Sequence, residues 1–184
     1  MKTGLLVVDM QNDYFPGGKM ELVGMNGAVE NAGKLLSFFR KKEWPVFHIQ
    51  HVALQDQATF FLPDTNGVAI HERVNPLSGE GIIIKHFPNS FRETILSKAL
   101  ESAKIDRLVI CGAMSHMCID ATTRAAADLG FECLVIHDAC ATRDLQFGEQ
   151  TIPAHQVHGA FMSALGSAYA KVLRFETFAA VTSN

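Results

Sequence analysis

The sequence predicts an α/β fold, with an open, mainly parallel six-stranded sheet and helices on both faces. Short apolar runs rich in β-branched residues recur along the chain. Segments with apolar residues at spacings of three and four, the period of a helix, lie between several of these runs. Because the runs are almost continuously apolar, they are typical of parallel strands buried on both faces. This alternation gives a Rossmann-like arrangement.

The pattern also locates the elements along the chain. The apolar runs predict strands at Leu5–Val8, Val46–Gln50, Ile82–Lys85, Leu108–Cys111, Cys133–Ile136 and Lys171–Phe175. The helical spacing predicts helices at Gly27–Lys42, Phe91–Ala103, Met117–Leu129 and Pro153–Ala170. Gly130 follows the third helix and Pro153 begins the fourth, which supports these ends. Residues 52–80 have weak periodicity, so we expect a long irregular connection there, over one edge of the sheet.

Length and charge limit the classes of protein to consider. A chain of 184 residues is long enough for one sizeable core, so we expect a single domain over residues 1–184. The 16 Lys and Arg residues are outnumbered by 19 Asp and Glu residues, and the longest basic run is Arg40-Lys41-Lys42. Since nucleic acids bind through clustered positive charge, we expect no nucleic-acid partner.

Nothing in the sequence indicates a membrane or an oxidising compartment. No window approaches the roughly 20 apolar residues that span a bilayer, and the apolar start of the chain ends at Asp9. We therefore expect a cytoplasmic protein with no membrane partner. The cysteines show no CxxC spacing, which predicts free thiols at Cys111, Cys118, Cys133 and Cys140.

Polar residues follow three of the predicted strands. Asp9 ends the first run, Lys85 ends the third, and Cys118 lies just past the fourth, where a helix is expected to begin. In a doubly wound sheet, ligands bind beyond the carboxyl ends of the strands. We therefore expect these three side chains to gather at one edge of the sheet.

The three side chains suit nucleophilic catalysis. A thiol at a helix N-terminus and near an ammonium group is expected to have a lowered pKa, which would make Cys118 a nucleophile. Asp9 would accept the thiol proton, Lys85 would hold the carboxylate, and backbone N–H groups would form an oxyanion hole. Each residue alone also has another interpretation. Asp9 fits a residue that caps a turn or binds Mg²⁺, Lys85 fits a solvated strand end, and Cys118 fits a packed helix residue. Their joint placement favours catalysis.

Five segments resemble the isochorismatase-like cysteine hydrolases and together cover nearly the whole chain. Leu6–Phe15, Ile84–His86 and Ile110–Asp120 are similar to the three signature blocks of that family, in the same order and at the same spacing. Pro45–Val52 resembles its second strand, and Asp138–Arg143 resembles its loop after the fifth strand. Each short block is weak alone, but three in the right order are a specific signal.

The resemblance implies an isochorismatase-like fold with Asp9, Lys85 and Cys118 as the catalytic triad. It also implies a cis peptide bond at Ala113–Met114, with the backbone N–H groups of Met114 and Cys118 as the oxyanion hole. Relatives commonly form dimers or tetramers, so we expect a homo-oligomer.

The resemblance also bears on metals. Nicotinamidases of this family carry an Asp-x-His metal site after the second strand, where this chain has Gln50-His51-Val52. His48 and His51 are three residues apart, so on a strand they point to opposite faces and do not share a metal. We therefore expect no metal and no other cofactor, and nicotinamide is disfavoured as the substrate.

The function predicted from the sequence is a cysteine-dependent hydrolase of a small amide, ureido or carbamoyl substrate, with a Cys-linked acyl intermediate. Phe15, Phe87 and His116 are candidates for contact with the substrate, because they adjoin the motifs. Two alternatives stay open. One is an isochorismatase-type enol-ether hydrolase that uses Asp9 as an acid, and the other is a non-enzymatic protein that binds or senses through its thiols.

Overall fold

A computed structural model describes residues 1–182 and shows eight β-strands in that part of the chain. They are β1 (Thr3–Val8), β2 (Val46–His51), β3 (Gly81–Lys85), β4 (Arg107–Ala113), β5 (Glu132–Ala141), β6 (Leu145–Phe147), β7 (Gln150–Ile152) and β8 (Lys171–Leu173). Six of them form one sheet in the order β3-β2-β1-β4-β5-β8, and every neighbouring pair in it is parallel. The predicted α/β fold with a six-stranded parallel sheet is confirmed.

Helices cover both faces of this sheet. Those in residues 1–182 are α1 (Met25–Lys41), α2 (Leu96–Ser102), α3 (Asp120–Asp128), α4 (Ala154–Ala168) and α5 (Phe175–Thr182). Side chains of α1 and α5 join one apolar cluster, and side chains of α2, α3 and α4 join a second. The sheet therefore separates two cores.

Strand β1 shows why this sequence forms a central strand. All its residues are buried. Leu5 and Val7 belong to the cluster beneath α1, whereas Leu6 and Val8 belong to the other cluster. Because successive side chains of a strand point to opposite faces, a continuously apolar run is stable only between two covered faces.

Several elements end or begin differently from the predictions, among them the last strand and the second helix. The last strand stops before Phe175, which begins α5 and donates its N–H to the Asp138 carboxylate at 2.9 Å. The helix predicted from Phe91 begins at Leu96. The reason is that Glu93 has a φ of +56°, which is incompatible with a right-handed helix.

The hairpin of β6 and β7 was not predicted, because each strand has only 3 residues and gives no periodic signal. The irregular connection over 52–80 is confirmed, with only the short 3₁₀ turns Asn66–Val68 and Glu72–Val74 between β2 and β3. Within residues 1–182, no helix combines the length and the apolar character needed to cross a membrane.

Gly112 lies in β4, opposite Val8 of β1. Its φ of +130° is one that residues with a side chain rarely adopt, and an added Cβ atom would clash with the Val8 carbonyl oxygen. This glycine therefore permits the close pairing of two strands whose ends carry Asp9 and the turn that contains Cys118.

We predict that Gly112→Ala lowers the free energy of unfolding by about 3 kcal/mol or more, because backbone strain and the clash both oppose the native pairing. Urea unfolding followed by circular dichroism measures the change. Gly27→Ala is the matched control, since Gly27 lies in α1 with no atom within 4 Å of an added Cβ. The control is expected to raise stability by up to about 1 kcal/mol. Similar stabilities for the two variants would contradict this explanation.

Candidate active site

Three strand ends bring the side chains of the predicted triad to one edge of the sheet. Asp9 directly follows β1, Lys85 is the last residue of β3, and Cys118 lies in the turn after β4. Because these strands are parallel, their carboxyl ends meet at the same edge. Asp9 has a φ of +51°, in the left-handed region that aspartate enters more readily than most residues.

Lys85 joins the other two side chains. Its Nζ lies 2.8 Å from Asp9 Oδ2 and donates to Cys118 Sγ at 3.3 Å. Asp9 and Lys85 are 0% exposed and Cys118 is 5% exposed. Within residues 1–182, neither Asp9 oxygen accepts a hydrogen bond of good geometry beyond this ion pair. The carboxylate therefore has free acceptor capacity in the same buried cluster as the thiol.

Two further groups complete the surroundings of the Lys85 ammonium. It lies 2.9 Å from Nδ1 of His51, and it donates to the carbonyl oxygen of Phe87 at 3.1 Å. The sequence pointed to neither contact, although His51 pairs directly with Lys85 in the sheet. Four acceptors thus surround the ammonium, which suits a cation that is removed from water.

Asp9, His51 and Cys118 are also the residues best placed to hold a metal ion. Each offers one ligand atom, and these atoms lie within 4.8 Å of one another. The Lys85 ammonium contacts all three side chains, at 2.8, 2.9 and 3.3 Å. A second cation among the same donors would be repelled by it, so the residues do not fit a metal while Lys85 is charged.

The expected lowering of the Cys118 pKa is wrong for this closed site. Burial raises the pKa of the thiol well above its ordinary value, the negative charge of Asp9 raises it further, and the opposing effect of Lys85 is smaller. For Lys85, burial lowers the pKa, but Asp9 and Cys118 raise it to above its ordinary value. The substrate-free site therefore holds a neutral thiol beside a charged ammonium.

The other cysteines are free thiols, as predicted. Burial raises the pKa of Cys111 well above its ordinary value and the pKa values of Cys133 and Cys140 to about 12. No cysteine is a thiolate near neutral pH. Cys118 is therefore distinguished by its neighbours and not by its acidity.

The turn that carries Cys118 is not a regular α-helix. Ser115–Ile119 form one π-helical turn, so α3 begins at Asp120 and not at Met117 as predicted. The Ala113–Met114 peptide bond is cis, in agreement with the resemblance. The carbonyl oxygen of Met114 accepts hydrogen bonds from two N–H groups of the turn, at 3.0 and 3.2 Å.

The backbone N–H group of Met114, at the start of this turn, is available to a ligand. Within residues 1–182, this N–H group donates to no backbone oxygen. Ser115 anchors the turn, since its Oγ donates to the Ala141 carbonyl oxygen at 3.2 Å and lies 2.8 Å from Nδ1 of His158. A fixed, unpartnered N–H group of this kind is a component of an oxyanion hole.

An aromatic roof, formed by Tyr14 and Phe61, borders the site. The Phe61 ring lies 4.6 Å from the Tyr14 ring and 5.9 Å from the His51 ring. Its backbone N–H donates to the Asp13 carboxylate at 2.7 Å, which fixes the roof. Burial and then the charge of Cys118 raise the pKa of Tyr14 well above its ordinary value. Tyr14 and Phe61 were not predicted from the sequence, because buried aromatic residues usually belong to a core.

The three predicted substrate contacts lie in different surroundings. Phe15 stacks on His71 at a centroid distance of 3.9 Å and lines a cavity of about 780 Å³ that does not include the triad. The Phe87 ring is covered by the Arg92 guanidinium at 3.7 Å. His116 hydrogen-bonds through Nδ1 to a threonine hydroxyl at 2.6 Å. Within residues 1–182, no hydrogen bond between side chains and no ring contact joins any of the three to the predicted triad, and Phe87 reaches Lys85 only through its backbone carbonyl oxygen.

Comparison with known proteins places this geometry in a family. The family model described as the Isochorismatase domain matches residues 3–163. The uncharacterized isochorismatase family protein YddQ of Bacillus subtilis is 53% identical over 178 residues, which cover 97% of this chain and 99% of that protein. A crystal structure from Oleispira antarctica, provisionally named an isochorismatase hydrolase, is 53% identical with a TM-score of 0.94, covering 97% of this chain and 96% of that one.

A more distant relative has a named activity. The N-carbamoylsarcosine amidase of an Arthrobacter species is 26% identical over 159 residues, which cover 77% of this chain and 60% of that protein. The family match and the high identity over nearly entire chains show that this chain belongs to the isochorismatase family of hydrolases.

Proposed function

We propose that this protein is a cysteine-dependent hydrolase of a small amide, ureido or carbamoyl compound, with an acyl intermediate on Cys118. The main support is the buried cluster of a thiol, an ammonium group and a carboxylate, in which Lys85 lies 2.8 Å from Asp9 and 3.3 Å from Cys118. A carboxylate with free acceptor capacity close to a thiol is what nucleophilic catalysis by cysteine requires.

In the first step, Sγ of Cys118 attacks the carbonyl carbon while the thiol proton moves to Asp9. The two events are coupled, because the pKa of the thiol is raised and free thiolate is scarce. The carbonyl oxygen becomes an oxyanion that accepts hydrogen bonds from the N–H groups of Met114 and Cys118. Lys85 stays protonated and offsets the negative charge.

In the following steps, Asp9 returns the proton to the leaving nitrogen. The carbon–nitrogen bond breaks, ammonia or an amine departs, and the acyl group remains on Cys118. A water molecule then gives a proton to Asp9 and attacks the acyl carbon. As the carbon–sulfur bond breaks, that proton passes to the sulfur, which restores the thiol and releases the acid.

Two observations support this substrate class. Cys118 is only 5% exposed, so the group that reacts with it must be small. The 26% identical relative is named an amidase and is named for a carbamoyl compound. Amide, ureido and carbamoyl groups share a carbonyl carbon bonded to a nitrogen that Asp9 can protonate as it leaves.

We predict that Cys118→Ala lowers turnover by a factor on the order of 10³ or more, because the covalent step is lost. Ammonia release from a panel of small amides, ureido acids and carbamoyl compounds measures this. Cys140→Ala is the control, since Cys140 donates only to a carbonyl of its own strand at 3.4 Å. Wild-type turnover by Cys118→Ala would overturn the proposal and favour an ether hydrolase led by Asp9.

We also predict that Asp9→Asn accelerates alkylation of Cys118 by iodoacetamide while it abolishes turnover. The Asp9 charge raises the pKa of the thiol, so its removal increases the thiolate fraction at a fixed, mildly alkaline pH. The same change removes the proton acceptor. Lys85→Met is expected to slow alkylation, because the ammonium lowers that pKa.

Peptide mass mapping assigns each alkylation rate to one cysteine in this experiment. Cys133 is the internal reference, because it lies outside the cluster. Faster alkylation of Cys118 together with normal turnover in Asp9→Asn would show that Asp9 is not the proton acceptor.

A further inference from the structure

His51 contacts Lys85 of the candidate active site from β2, the strand between β1 and β3. It is the last residue of β2 and pairs with Lys85 across the sheet. Gln11 holds its backbone on both sides, since the His51 N–H donates to Gln11 Oε1 at 2.8 Å and Gln11 Nε2 donates to the His51 carbonyl oxygen at 2.8 Å. Gln11 is 0% exposed, so this strand end is held within the protein interior.

The contact with Lys85 determines the tautomer of His51. Nζ of Lys85 lies 2.9 Å from Nδ1 of His51. An ammonium group only donates, so Nδ1 accepts and carries no proton. Burial and then the Lys85 charge lower the pKa of His51 to about 4, which keeps the ring neutral near neutral pH. The neutral ring therefore carries its proton on Nε2.

The Nε2–H group of His51 is available to a ligand. The one side-chain hydrogen bond of His51 within residues 1–182 is the contact of Nδ1 with Lys85. Within residues 1–182, the fully buried polar atoms that lack a partner include Nδ1 of His48 but not Nε2 of His51. One ring nitrogen of His51 lies within 4.8 Å of an Asp9 oxygen and of the Cys118 sulfur. The ring that carries this unused donor therefore borders the predicted reacting groups.

We propose that His51 has two roles in this centre: Nδ1 positions the Lys85 ammonium, and Nε2–H donates a hydrogen bond to the substrate. This inference rests on the proposed function. It adds that the substrate carries an oxygen acceptor beside the scissile carbonyl, which is a carboxylate or a second carbonyl group. A ureido acid has such an acceptor, whereas an alkyl urea lacks it.

Two variants separate the two roles. The side-chain amide of asparagine reaches the position of Nδ1, and that of glutamine reaches the position of Nε2. His51→Asn therefore keeps an acceptor for Lys85 but loses the donor to the substrate, and His51→Gln does the reverse. His86→Gln is the neighbouring control, because the His86 ring hydrogen-bonds through Nδ1 to the Val52 carbonyl oxygen, at 2.7 Å, and not to the ammonium.

The probes are N-carbamoylglycine and N-propylurea, which share the ureido group and differ in the carboxylate. The concentration of each that halves the alkylation rate of Cys118 reports binding without turnover. We expect wild type and His86→Gln to bind N-carbamoylglycine about tenfold more tightly than N-propylurea, the effect of one hydrogen bond. His51→Asn is expected to lose this preference. His51→Gln is expected to keep the preference for N-carbamoylglycine. Its kcat is expected to fall with little change in KM, because Lys85 is less well positioned.

The inference is overturned if wild type shows no preference or if His51→Asn retains the full preference. A normal kcat in His51→Gln would remove the positioning role. The hydrolase proposal fails by a different result, which is full turnover by Cys118→Ala, so the two failures are distinguishable.

Discussion

The buried ammonium group of Lys85 is the interaction on which the rest of the site depends. It is 0% exposed and lies 2.8 Å from Asp9, 2.9 Å from His51 and 3.3 Å from Cys118. A buried cation is tolerated only when it is paired and hydrogen-bonded. Its three side-chain partners come from the ends of β1 and β2 and from the turn after β4, and Lys85 itself ends β3. The strand order β3-β2-β1-β4 therefore makes these four residues neighbours.

The same burial sets how the proposed reaction begins. In the proposed mechanism, Cys118 stays neutral until a carbonyl group is present, because burial and Asp9 both raise its pKa. The low-dielectric surroundings also strengthen the contacts of Lys85 and the hydrogen bonds that an oxyanion would accept. The buried rings of Tyr14 and Phe61 add apolar surface beside His51.

The sequence predicted the features that depend on strand position alone. Asp9 and Lys85 end apolar runs, and such ends meet at one edge whatever the details of packing. His51 and Phe61 were not predicted, because their contacts depend on strand register and on the path of the irregular connection over 52–80. The pKa shift of Cys118 was predicted in the wrong direction. The argument from the helix terminus did not include the depth of burial or the charge of Asp9.

The ionisation state of Cys118 in the substrate-free protein is the most direct test of a site built around a neutral thiol. The ultraviolet absorbance of thiolate, taken as the difference between wild type and Cys118→Ser during a pH titration, reports it. We predict no thiolate at neutral pH, with thiolate forming only well above the ordinary thiol pKa of about 8.5. A Cys118 thiolate already present at neutral pH would mean a preformed ion pair with Lys85 and would contradict proton transfer to Asp9 during attack.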